Sequence, residues 1–154
     1  MRRRGFLAGA IICVPFAQAW AHAMPNSTLV VELLQGAVRL VARIPTSELG
    51  AVLERGRPAD RYVGEHADIF GADGRTWTAE VGPVAASSAR EHPGVVVELL
   101  FKPPVGAATK AATLRYDAVN HRVASHYVLV YRRIGEQLVP LGRLQSPATE
   151  LKLS

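Results

Sequence analysis

Ser27-Thr28-Leu29-Val30-Val31-Glu32-Leu33-Leu34-Gln35-Gly36-Ala37-Val38-Arg39-Leu40-Val41-Ala42-Arg43-Ile44-Pro45 decides the fold class. Ser27 to Leu34 and Val38 to Ile44 are β-rich runs, joined at Gln35-Gly36, a short turn whose glycine is free to take positive φ. In the second run Val38, Leu40, Ala42 and Ile44 alternate with Arg39, Val41 and Arg43, the period of a strand with one buried face. Pro45 is expected to stop the pairing.

Downstream, Thr46-Ser47-Glu48 predicts a helix start with Ser or Thr as N-cap, running through Leu49, Val52 and Leu53 to a stop at Gly56. A second helix is predicted from Ala59 to about Phe70, between Pro58 and the Ala72-Asp73-Gly74 turn, because Tyr62, Val63, His66 and Ile69 recur at helical spacing. Strands then resume: Thr76 to Val84, Val95 to Lys102, Thr109 to Tyr116, Ala124 to Arg132 and Gln137 to Leu144. Pro93-Gly94, Pro103-Pro104-Val105-Gly106 and Ile134-Gly135-Glu136 punctuate them. Seven short strands at regular spacing predict an all-β fold, an antiparallel sandwich of immunoglobulin-like or cupredoxin-like type with a short helical insertion. The polar tail from Gln145 is expected to fray.

Upstream, residues 1–21 read as a cleaved export signal and residues 22–154 as a single domain. Arg2-Arg3-Arg4-Gly5-Phe6-Leu7 carries the paired arginines of a twin-arginine signal. Ala8 to Ala19 is a short apolar stretch, and Ala19-Trp20-Ala21 is an A-x-A cleavage site before His22. Starts at Met24 or Trp20 are the competing registers. The stretch is too short to span a bilayer, and nothing later approaches that length, so no transmembrane helix is expected in the mature chain. A periplasmic, soluble product follows.

The net charge of +5 is concentrated in that leader. With Arg2, Arg3 and Arg4 gone, fifteen basic residues face thirteen acidic ones. No basic stripe is left, which argues against nucleic-acid binding. The one cysteine, Cys13, lies in the leader, so the mature domain has no disulfide and no thiolate ligand. About 130 residues are enough to bury one core.

Five histidines carry the available chemistry. Cleavage before His22 would leave a free amine and an imidazole on one residue, a chelating pair. His121 and His126 lie in Asp117-Ala118-Val119-Asn120-His121-Arg122-Val123-Ala124-Ser125-His126. A spacing of five sends them to opposite faces of a straight strand, so they converge only if the stretch around Asn120 is a loop. Imidazoles with the Asp117 carboxylate suit zinc, copper or nickel. The same residues also read as turn hydrogen bonds with one histidine packed at the sandwich edge. His66, on the face of the predicted second helix, is the weaker candidate ligand, and His92, before Pro93, reads as solvent-exposed. No G-x-S-x-G, H-E-x-x-H or phosphate loop is present, so no enzyme is expected.

Ala21-His22-Ala23-Met24-Pro25-Asn26-Ser27, with the two strands and the Ile44-Pro45-Thr46-Ser47-Glu48-Leu49 helix start that follow, resembles the periplasmic region of HupE/UreJ-type membrane proteins. The block Leu114-x-Tyr116-Asp117-x-Val119-x-His121-x-Val123-x-Ser125-His126 is similar to a second block of that region. The family is associated with nickel or cobalt uptake through a membrane part that follows the soluble region; this chain carries no such helices. The A-H-A start on a small β-sandwich also resembles CopC-like copper-binding proteins, whose amino-terminal histidine is a ligand. The resemblances imply a copper or nickel ion held by His22, His121 or His126, and Asp117, the last as a ligand or as a hydrogen-bonding partner of one. They also imply a membrane permease or metal-handling partner. The alternative is a metal-free module that docks a permease or assembly factor through a sheet edge or the helical insertion.

Overall fold

The computed structural model describes residues 26–87, 93–107 and 111–153. His22 and His92 lie outside them. Strand β1 (Ser27–Leu34) and β2 (Ala37–Pro45) form the expected hairpin, with Val31 opposite Leu40 and Leu29 opposite Ala42. Gly36 takes φ +78°, which the tight turn requires. Val38, Leu40, Ala42 and Ile44 are all buried, as their alternation predicts.

Pro45 does not stop the pairing: it is the last residue of β2 and lies opposite Gly94. A Cβ at Gly94 would sit 2.7 Å from the Ile44 carbonyl, so only glycine allows this approach. Helix α1 (Thr46–Val52) therefore has Pro45, rather than Ser or Thr, as its N-cap. The Thr46 N–H, the first donor of the helix, donates to the Pro93 carbonyl at 2.9 Å, and no side chain caps the helix.

Helix α2 is shorter than predicted, spanning Ala59–Glu65, and β3 (Ala67–Phe70) takes the remainder. Ala67 and Ile69 alternate as well as they recur, and pairing with β7 (Thr113–Tyr116) decides between the two periods. Strands β4 (Thr78–Val81) and β5 (Ala85–Ala86) pair with one edge of β6 (Gly94–Lys102), whose other edge pairs with β2. Strand β8 (Val128–Ile134) begins four residues after the expected start, and its hairpin partner is β9 (Gln137–Leu144). The tail does not fray: β10 (Glu150–Lys152) pairs with β7, and Leu153 is buried.

The larger sheet runs β4-β6-β2-β1-β8-β9 with β5 beside β6; the smaller runs β10-β7-β3. All strand pairs are antiparallel except β1 with β8. The inner faces of both sheets and the helices share one core, in which Leu29, Leu40, Leu99 and Phe101 meet Ile69, Leu114 and Tyr116. The fold is thus a mainly antiparallel β-sandwich with a short helical insertion. No helix among the described residues is long and apolar enough to cross a membrane.

Candidate functional site

Register creates the site. Strands β3 and β7 pair with Ala67 opposite Tyr116, so the residue before β3, His66, meets the residue after β7, Asp117. The Asp117 N–H donates to the His66 carbonyl at 3.2 Å, and His66 Nδ1 lies 2.7 Å from Asp117 Oδ1. His66 is the C-cap of α2, leaving the helix at φ −109°, which turns its side chain onto this junction.

After Asp117 the chain makes one tight turn. The His121 N–H donates to the Asp117 carbonyl at 3.0 Å, so the spacing of four is realised as a single helical turn. Val119 within it has φ +70°, a left-handed conformation that costs a β-branched residue about 1–3 kcal/mol. Its burial and the bond from its N–H to the Tyr62 hydroxyl at 2.9 Å hold it there. The turn lays the His121 ring on the His66 ring, with centroids 4.2 Å apart and planes 16° apart. Tyr62 underlies both, at 4.6 Å from His66 and 6.0 Å from His121.

Asp117 and His121 are thus brought together, with His66, the weaker candidate, as their third member; the three present ligand atoms within 4.8 Å of one another. Tyr62 is a floor rather than a donor. Burial raises its hydroxyl above the usual tyrosine range, opposed by the Val119 hydrogen bond, so the phenol stays protonated. Two guanidinium groups stand nearby: Arg57 lies 5.5 Å above the Tyr62 ring and pairs with Glu65, and Arg122 lies 3.4 Å from Glu54. Each is paired with a carboxylate, which limits its repulsion of a bound cation.

His126 is placed elsewhere. It is 2% exposed, with Nε2 2.9 Å from Ser27 Oγ and Nδ1 3.3 Å from Glu48 Oε2. Ser27 faces inward at the start of β1 and is fully buried, so its hydroxyl needs this partner. With the carboxylate accepting from Nδ1–H, Nε2 accepts from the serine. Burial pushes the His126 pKa below its ordinary value, and the adjacent Glu48 works the other way. The order serine, histidine, carboxylate is that of a nucleophile, its base and an orienting acid. Full burial of Ser27 closes its Oγ to substrate, and the three residues act as a brace between β1, α1 and the entry to β8.

Sequence reasoning missed Ser27 and Glu48 because they lie 99 positions and 78 positions from His126, and the partner of a buried polar group has no local signature. The signal available was a serine at an inward position of β1. No family model and no curated protein matches the chain, so the resemblances drawn from its motifs stand on those motifs alone.

Proposed function

We propose that the protein is exported to the periplasm, where it binds or delivers a transition metal, copper or nickel, without catalysing a reaction. The single observation behind this reading is the junction of His66, Asp117 and His121, where two imidazoles and a carboxylate meet at the partly exposed edge of the fold. Two nitrogens and an oxygen without thiolate suit these borderline ions. The leader-like segment ending at Ala21 supports export, and the A-H-A start supports a further donor pair at His22. Ser27, five residues after His22, bonds His126, so the entry to β1 lies beside His126. The receiving partner in this reading is a membrane permease or another metal-handling protein.

Isothermal titration of the processed protein with Cu(II) and Ni(II), beside its metal content on purification from the periplasm, tests the reading. One equivalent of metal is expected. Replacing His66 and His121 together by alanine is expected to weaken binding more than tenfold. Undiminished binding would move the site to the amino terminus.

A metal-free docking module is the second reading, favoured by the β8–β9 hairpin. Strand β9 ends the larger sheet, and Ile134, Leu138 and Val139 stand 55%, 48% and 39% exposed there. Failure of the processed protein to bind either ion favours this reading.

A further inference from the structure

We propose that Asp117 is the positioning residue of the site and that the metal is taken by Nε2 of His66 and Nε2 of His121. This rests on the metal-binding reading above. Both imidazoles are anchored to the same residue through Nδ1. His66 Nδ1 lies 2.7 Å from the Asp117 carboxylate, and His121 Nδ1 lies 3.1 Å from the Asp117 backbone carbonyl. A carbonyl oxygen only accepts, as does a carboxylate, so in both rings the proton sits on Nδ1. A neutral imidazole has one N–H. The lone pair is therefore left on Nε2 in each ring, the nitrogen free to ligate.

The Asp117 carboxylate serves the site better in this role than as a ligand. Turning Oδ1 toward an ion would release His66 Nδ1 and with it the tautomer that makes His66 a donor. A carboxylate behind a ligating imidazole also raises its basicity. The rings differ in freedom. His66 is partly buried between the Tyr62 ring and His121, so it is the fixed donor, whereas His121 is exposed. Imidazole lone pairs lie in the ring plane, and two planes 16° apart do not meet on one ion. Binding by both rings therefore tilts His121 out of the stack. Two protein nitrogens leave the other coordination positions to water or to a partner's ligands. That composition fits an ion held for exchange, in contrast to a closed four-ligand structural site.

Nitrogen-15 NMR of the metal-free chain from residue 22, carrying His22→Ala to remove the competing amino-terminal donor, reads the tautomers at about pH 8, above the imidazole range. Both His66 and His121 are expected as Nδ1–H. Zn(II), the diamagnetic probe, is expected to shift the Nε2 resonances of both rings. Asp117→Asn offers a donor as well as an acceptor, so it should loosen the His66 tautomer and weaken Zn(II) binding roughly 10–100-fold while two imidazoles still ligate. Asp117→Glu should restore the Nδ1–H tautomer and part of the affinity, which a merely structural role would not produce. The amide fingerprint shows whether each variant keeps its fold, and the unsubstituted Asp117 protein settles the tautomers in any case. An Nε2–H tautomer at His66, or zinc shifts at Nδ1, overturns the assignment to Asp117 and leaves metal binding standing. Correct tautomers with no Zn(II) shift, together with no Cu(II) or Ni(II) bound in titration, overturn the metal reading, and the ligand assignment falls with it.

Discussion

Two histidine clusters in this protein use the same residue types to opposite ends. His126 is closed in the core between Ser27 and Glu48, while His66 and His121 lie stacked at the partly exposed edge with Asp117 beside them. Both have a carboxyl oxygen near an Nδ1 atom. They differ in what the other nitrogen meets. His126 Nε2 is consumed by a buried hydroxyl, whereas no described side chain is bonded to Nε2 of His66 or His121. Access, rather than residue type, separates a brace from a candidate ligand pair.

The sharpest way to break this contrast is to remove the buried member. His126→Ala leaves Ser27 and Glu48 without their partner and opens a cavity, and it is expected to cost about 3 kcal/mol of stability. Chemical denaturation measures it. Metal affinity of the folded fraction should be unchanged; a loss of binding would mean that the two clusters are one site.

Acid should reach the same brace. Burial lowers the His126 pKa in the folded protein below its ordinary value of about 6.5. Between those two values the unfolded chain binds more protons, so stability rises with pH. The contribution is fully present above about pH 6.5 and is lost as pH falls through the folded value, with a slope of up to about 1.4 kcal/mol per pH unit. Denaturation midpoints across pH 5 to 8 should show this slope in the native protein and a smaller one in His126→Gln. Equal slopes would assign it to other groups.

The exposed member should respond in the reverse sense. His121→Ala is expected to leave the denaturation midpoint nearly unchanged and to weaken Cu(II) or Ni(II) binding about tenfold or more in titration calorimetry, since one of two imidazole donors is gone. A stability loss as large as that of His126→Ala would show the stack to be structural.

The smallest effect belongs to the hairpin. Leu138→Ser, at an exposed position of β9, should change stability by less than about 0.5 kcal/mol. Its metal affinity should match the native value, and pull-down with membrane proteins from the same cell would show whether docking depends on this surface.

Local pattern carried the strands well and the site only in part. Val38 to Ile44 advertised its buried face residue by residue, and Gln35-Gly36 its turn, because both are set by neighbours in the chain. Helix α2 was read too long because Ile69 satisfies both the helical and the strand period, and only pairing with Leu114 separates them. The tail gained β10 from a partner strand that no local pattern near Glu150 reveals. Asp117 and His121 were legible together because they share a short polar stretch that allows a loop around Asn120. His66 read as the weaker candidate because its meeting with Asp117 depends on the β3–β7 register, and His126 shares one short stretch with Asp117 and His121 but is carried into the core.

By itself, then, the sequence determined the β class, the main hairpins, the helical insertion and the set of candidate ligand histidines. These follow from periodicity, turn residues and composition, which act over a few residues. The tertiary structure decided which histidine faces water. Two residues 51 positions apart, His66 and Asp117, meet at 2.7 Å because two strands pair in one register. His126 is sealed because an inward hydroxyl at Ser27 requires a partner in the core. Burial and long-range pairing are properties of the assembled sheets, and only their packing separates a candidate ligand from a brace.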